Sequence, residues 1–157
     1  MDQAVSAPDR VRAALASAGL RTEIRQFAES TRTAQEAASA VGTRVGQIVK
    51  SLIFMANGAA VLALVSGSNQ LDPNKLIARV GAPIRKADAA EVRQATGYVI
   101  GGVPPIGFPS PIPTYIDRDL LAHDVLWAAA GTPHHVFQIP PALLVRLTGG
   151  TVADLKH

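Results

Sequence analysis

The sequence predicts a single domain that mixes helices and strands, α/β in class with an α+β-like order of elements. Three observations carry this expectation. The chain has 157 residues, the size of one domain and enough to bury a core without staples. Capped helical segments alternate with short apolar runs of strand length. Two of those runs, 46–55 and 59–66, flank Asn57-Gly58, the two-residue signal of a tight hairpin.

Composition narrows the possibilities. Apolar residues make up 48% of the chain but aromatics only 4%, so the core must be built from Ala, Val, Leu and Ile. The absence of cysteine excludes a disulfide frame, a thiol nucleophile and a thiolate metal site, and fits a cytoplasmic location. The first seven residues lack a charged segment followed by an apolar one, so no signal peptide is expected. No run of about 18 apolar residues occurs, so no membrane span is expected. The net charge of +3, from 15 basic and 12 acidic residues, contains no polybasic run. It permits a nucleic-acid partner without requiring one.

In chain order, Pro8 to Ala18 has helical spacing through Val11, Ala14 and Leu15 and stops at Gly19. Arg21 to Phe27 reads as a short strand. Thr33 and Glu36 have the spacing of a capping box, which opens a helix running to Gly42. Ser30 and Thr31, just before that cap, are candidates to face a pocket. Thr43 to Gln47 reads as a helical turn feeding the apolar run, and Ala59 to Ser66 as a partner strand buried on both faces. These two strands are expected at the centre of the sheet. Asp72-Pro73 caps the next helix, which ends at Gly81. Ile84 to Ala87 is a strand or an extended link. Asp88 caps a helix closed by Gly97, and Tyr98-Val99-Ile100 reads as a short strand. Thr114 to Asp117 is a strand, with a short turn at Leu120-Leu121. Asp124 to Ala130 and His134 to Ile139 read as a hairpin about Gly131-Thr132-Pro133, with a helix through Val125 to Ala129 as the competing reading of the first. Pro140-Pro141 opens a last helix, and Thr151 to Leu155 is a terminal strand or tail.

Two stretches stand out chemically. Lys50 interrupts the apolar run; successive strand side chains point to opposite faces, so Lys50 shares a face with Ile48, Leu52 and Phe54. Desolvating an ammonium in that company is costly unless it finds partners. Either Lys50 snorkels its amine to water from a strand end, or it stands at the mouth of a pocket and meets an anionic or carbonyl-bearing ligand. The second stretch is Gly101 to Pro113, with five prolines and three glycines in 13 residues. It can be neither helix nor central strand. It reads as a stiff loop presenting backbone groups, with Gly101 and Gly102 allowing close approach of a ligand.

Familiar catalytic sets are missing. The four histidines, His123, His134, His135 and His157, form no chelating pattern, and no metal is expected. There is no nucleophile elbow, P-loop or dinucleotide fingerprint. Ser51, His135 and Asp117 make a triad on paper only, with no spacing rule behind it. What remains can still hydrolyse an activated ester: oriented dipoles and a cation polarise the carbonyl, and bound water attacks.

The residues 47–54 around Lys50, Leu71-Asp72 with Lys75-Leu76, Thr96-Gly97 leading into Gly101-Gly102-x-x-Pro105-x-Gly107, and Ile116-Asp117 together resemble the YbaK/prolyl-tRNA synthetase insertion-domain family. The likeness runs from about residue 8 to the C-terminus. It implies one domain over residues 1–157, with a mixed, barrel-like sheet flanked by helices. It implies a trans-editing hydrolase that deacylates mischarged aminoacyl-tRNA, typically Ala- or Cys-tRNA(Pro), without a metal or other cofactor. Lys50 and Gly101 match the residues tied to catalysis. Thr31, Ser51, Gly102, Pro105 and Asp117 are the expected substrate-binding residues. Many members carry Ser where this chain has Pro104, which bears on the amino acid that fits. The implied partners are the acceptor end of mischarged tRNA and a synthetase or elongation factor. The alternative reading is a non-catalytic module of the same fold that binds tRNA or a synthetase.

Overall fold

The computed structural model describes residues 5–157. Local chemistry sets most of its elements. Helix α1 (Ala7–Ser17) starts where the Ser6 side chain accepts from the Asp9 amide, and it buries Val11 and Leu15. Strand β1 (Ile24–Gln26) is shorter than its apolar anchors suggest. Thr33 and Glu36 form the reciprocal capping box at the head of α2 (Ala34–Val41), which buries Ala37 and Ala38. A single 3-10 turn at Val45–Gln47 leads into β2 (Val49–Ala56). Asn57 and Gly58, both at positive φ, turn the chain into β3 (Ala59–Ser66), as a tight primed turn requires. Then follow α3 (Pro73–Val80), the two-residue β4 (Arg85–Lys86), α4 (Ala89–Thr96) and β5 (Thr114–Asp117). After a 3-10 helix over Arg118–Ala122 come β6 (Leu126–Ala129), β7 (His135–Ile139), α5 (Pro141–Thr148) and β8 (Thr151–Ala153).

The strands make two sheets. One has five strands in the order β4-β2-β3-β5-β8, the other three in the order β1-β7-β6. In the larger sheet β2 pairs antiparallel with β3 and β4, while β5 runs parallel to both β3 and β8. It is therefore mixed, with the β2–β3 hairpin near its centre as expected. The sheets touch through one parallel bridge, Ile48 to Trp127, and they do not close into a barrel. One face of β2–β3 sends Val49, Ile53, Leu62 and Leu64 into the main core with Leu15 and Phe137. The other face packs Ala63 and Val65 against Leu76 of α3 and Leu155. A third cluster joins Ala37 and Ala38 to Ile48, Trp127 and Val136, locking α2 over the bridge. No helix among the described residues is long and apolar enough to cross a membrane.

Tyr98 to Ile100 is not a strand. Gly97 turns the chain at φ +82°, the Tyr98 amide donates to Thr96 Oγ1, and the Gly102 amide closes a turn onto the Val99 carbonyl. The turn spends the main-chain groups that a strand would need for pairing.

Candidate active site

Just past the Ile48–Trp127 bridge the two sheets part, and a cavity of about 310 Å³ opens in the gap. Its floor is the first half of β2. The start of α2 covers one side, and Gly101 and Val103 of the proline-rich loop cover another. Small side chains, Ala34, Ala37, Ala128 and Ala129, line much of the rest.

Lys50 reaches this wall from the β2 face that carries Leu52 and Phe54. Its amine donates to the main-chain carbonyl of Asn69. Asn69 is itself clamped, its carboxamide nitrogen donating to Asp117 at 2.8 Å and to Asp119 at 2.9 Å. Burial pushes the Lys50 ammonium below the ordinary lysine value, and the Asp117 charge opposes that shift in part. Lys50 is thus a partly desolvated cation held near a carboxylate without being neutralised by direct contact. Its amine engages the Asn69 carbonyl, although Lys50 lies one residue into β2 and is only partly buried.

Gly101 sits at φ +89°, and a Cβ there would come within 2.5 Å of the Arg32 side chain. A left-handed φ of this kind is available mainly to glycine. Gly102 packs differently: a Cβ would meet the Thr132 backbone at 2.7 Å. Its carbonyl accepts from the Gly131 amide at 2.9 Å, tying the loop to the β6–β7 turn. Farther along, the Tyr98 hydroxyl donates to the Gly107 carbonyl at 3.0 Å. The loop is stiffened by these ties as well as by its prolines.

Of the expected site residues, Lys50, Gly101, Thr31 and Ser51 all line the cavity. Thr31 is held there because its hydroxyl donates to the Pro133 carbonyl at 2.9 Å. The Ser51 hydroxyl is buried and has no hydrogen-bond partner among the described residues. Gly102 stands behind Gly101 as a packing residue. Pro105 lies in a separate groove with Phe108 and Leu147. Asp117, fully buried, stands behind Lys50; it accepts from the Ser66 amide at 3.1 Å and the Asp119 amide at 3.0 Å as well as from Asn69. The paper triad does not assemble. His135 engages Thr132 through Nδ1 and is not in the cavity wall, and Asp117 is occupied elsewhere.

Arg32 and Trp127 are lining residues that the sequence reading did not single out. Arg32 follows Thr31 directly, and an exposed cation beside a helix cap was the only available signal. Trp127, the sole tryptophan, carries Arg25 over its ring at 5.0 Å; its place depends on the bridge to Ile48, which no local pattern announces. Among the described residues, Lys50 and Arg32 are the only charged side chains in the wall. None of the lining hydroxyls contacts a histidine or carboxylate that would activate it. Such a site stabilises negative charge and orients a carbonyl rather than attacking one. Among the described residues no group of three His, Asp or Glu side chains is placed to hold a metal ion.

Comparison with known proteins agrees with this chemistry. A crystal structure described as a candidate trans-editing enzyme for prolyl-tRNA synthetase superposes with a TM-score of 0.93 at 49% identity, covering 99% of both chains. A candidate Cys-tRNA(Pro)/Cys-tRNA(Cys) deacylase of Enterococcus faecalis, EbsC, is 27% identical over 131 residues, which is 82% of this chain and 80% of that protein. The proline–tRNA ligase of Solidesulfovibrio magneticus is 33% identical over 110 residues, 68% of this chain but only 19% of the ligase. Residues 28–147 match the model of the aminoacyl-tRNA editing domain. That span holds both the Lys50 strand and the Gly101 loop, and the chain belongs to the aminoacyl-tRNA editing domain family.

Proposed function

We propose that this protein is a trans-editing hydrolase that removes alanine or cysteine from mischarged tRNA(Pro), working in the cytoplasm beside prolyl-tRNA synthetase. The observation that carries the reading is the convergence of Lys50, Gly101, Thr31 and Ser51 on one small cavity with cations and no nucleophile–base pair. An aminoacyl ester is already activated, so orientation and charge stabilisation suffice. The oxygen of a water adds to the ester carbonyl carbon. The bond to the ribose oxygen then breaks, the water's proton passes to that oxygen, and amino acid and tRNA leave. Lys50 either grips the terminal phosphate or polarises the carbonyl. Gly101 brings the loop backbone against the aminoacyl group. The alanine-lined wall favours a small side chain, which is where editing is needed: hydrophobic pockets elsewhere discriminate one methylene by only about 10–200-fold.

The test is deacylation of a panel of alanyl-, cysteinyl-, seryl- and threonyl-tRNAs by wild type and by Lys50→Ala, in buffer containing a chelator. We expect hydrolysis of Ala- or Cys-tRNA(Pro) by the wild type and a loss of about 10² or more in Lys50→Ala, the scale of removing one charge-stabilising group. A rise in KM alone assigns Lys50 to the phosphate, and a fall in kcat assigns it to the carbonyl. Binding of the tRNAs without hydrolysis would instead favour a non-catalytic module, and full activity in a folded Lys50→Ala variant would remove the role given to Lys50.

A further inference from the structure

Five consecutive residues, Ile48 and the first four of β2 through Leu52, line the cavity. Their side chains alternate between the two faces of the sheet, so the cavity can touch all five only by meeting the strand along its edge. On that edge β2 is paired at both ends and open between. Ile48 bridges to Trp127 at one end. At the other, Phe54 and Met55 pair with β4, and the Ile53 carbonyl accepts from Ala87.

The alternation of main-chain groups identifies the free position. The Ile48 carbonyl points toward β3, where it accepts from Gly67, whereas the Ile53 carbonyl points the other way. Even-numbered residues therefore turn their main-chain groups to β3 and odd-numbered ones to the open edge. Val49 lies beside the Trp127 bridge, and Ile53 and Met55 lie against β4 and its extension. Ser51 is left opposite the cavity, with neither strand nor loop among the described residues pairing its N–H and C=O on that edge. Its hydroxyl, also at the cavity, is buried with no hydrogen-bond partner among those residues. Three polar groups of one residue are thus unclaimed at one place, where buried polar groups are ordinarily satisfied.

We infer that the edge of β2 at Ser51 is the recognition site for the α-amino acyl unit itself. In a hydrogen-bonded antiparallel pair, two opposed residues exchange both main-chain bonds. An aminoacyl ester carries the same groups at the same spacing: an amine donor, one intervening carbon and a carbonyl acceptor. Docked opposite Ser51, its α-ammonium donates to the Ser51 carbonyl and its ester carbonyl accepts from the Ser51 N–H. The substrate serves as the missing partner residue, a one-residue form of strand addition. Opposed residues of such a pair share a face, so the substrate's side chain falls beside the Ser51 hydroxyl. The site therefore selects α-amino acyl esters over esters of other acids, and it needs no carboxylate to receive the ammonium. This inference rests on the deacylase reading above.

Two measurements test it separately from that reading. The first compares hydrolysis of alanyl-tRNA(Pro) with lactyl-tRNA(Pro), in which a hydroxyl replaces the amine, each corrected for its rate in buffer. Losing a charge-assisted bond predicts a fall in kcat/KM of about 10-fold or more for the lactyl ester. Equal rates overturn the inference and leave the deacylase reading standing. The second follows amide resonances during titration with 3′-deoxy-3′-(L-alanylamino)adenosine, a stable amide analogue. The Ser51 amide is expected to shift well beyond those of Lys50 and Leu52, which face β3. A Ser51 shift without hydrolysis of any tRNA would sink the deacylase reading but keep the docking site, whereas hydrolysis with an unmoved Ser51 amide overturns the docking site alone.

Discussion

Lys50 concentrates the opposing demands of stability and function in one side chain. Burial lowers its proton affinity below the ordinary 10.5, with Asp117 opposing. The unfolded chain therefore binds more protons than the folded one between the folded value and 10.5, and stability rises with pH across that window. Replacing Lys50 by Met is expected to raise Tm at neutral pH while deacylation is lost. The advantage should shrink as pH climbs through the window and be least above 10.5, where the wild-type amine is neutral in both states. Thermal melts of both proteins as a function of pH read this directly, and a constant difference would contradict the burial argument. Gly101 makes the second prediction at this scale. At φ +89° with Arg32 beside it, Gly101→Ala incurs about 1–2 kcal/mol of backbone strain. It also displaces the loop, and a shift of about 1 Å at a reacting centre can cost on the order of 10² in rate. Denaturant titration and deacylation kinetics on one preparation separate the two effects.

At the scale of elements, the N-terminus of α2 is both a structural cap and a wall of the site. The Glu36 amide donates to Thr33 Oγ1 at 3.1 Å, and the Thr33 amide donates to the Glu36 carboxylate at 3.1 Å. Thr31, two residues earlier, is pinned to Pro133 across the gap between the sheets. Thr33→Ala removes one half of the box and is expected to cost about 1 kcal/mol. Because the same turn carries Thr31 and Arg32 into the cavity, deacylation should also fall, with KM rising more than kcat drops. Activity unchanged at the lower stability would show that the cap does not position the wall. The proline-rich loop is held differently, through Gly102 against the Thr132 backbone and through Tyr98 on Gly107, so its shape does not depend on a helix.

For the molecule as a whole, Asp117 links the sheet to the site. Lying at the end of β5, it receives the Ser66 amide at the end of β3, the Asn69 side chain and the Asp119 amide. The same Asn69 offers its carbonyl to Lys50. Asp117→Asn puts a donor where acceptors are required, and each orphaned buried group costs about 1–3 kcal/mol. The expected result is a drop in unfolding free energy of at least about 2 kcal/mol, with deacylation reduced through loss of Lys50 placement. If urea unfolding matched the wild type, Asp117 would not be the structural hub described here.

The sequence by itself determined what short range controls. The caps at Thr33, Asp72 and Asp88, the Asn57-Gly58 turn and the β2–β3 hairpin depend on contacts a few residues apart, and side-chain chemistry specifies them locally. Lys50 was legible as a charge in an apolar strand, and the loop at Gly101 as a segment that could be neither helix nor sheet. The tertiary structure decided what depends on distant partners. Tyr98 to Ile100 turns instead of pairing because Thr96 and Gly102 claim its main-chain groups. Gly102 and Pro105 share a loop with Gly101 and Val103 but stand outside the cavity, Gly102 packed on the Thr132 backbone and Pro105 in the groove with Phe108 and Leu147. Arg32 and Trp127 enter the wall only because Thr31 meets Pro133, 102 residues away, and Ile48 meets Trp127. The gap between the sheets, and the unpaired edge of β2 within it, exist only because those long-range pairings stop where they do.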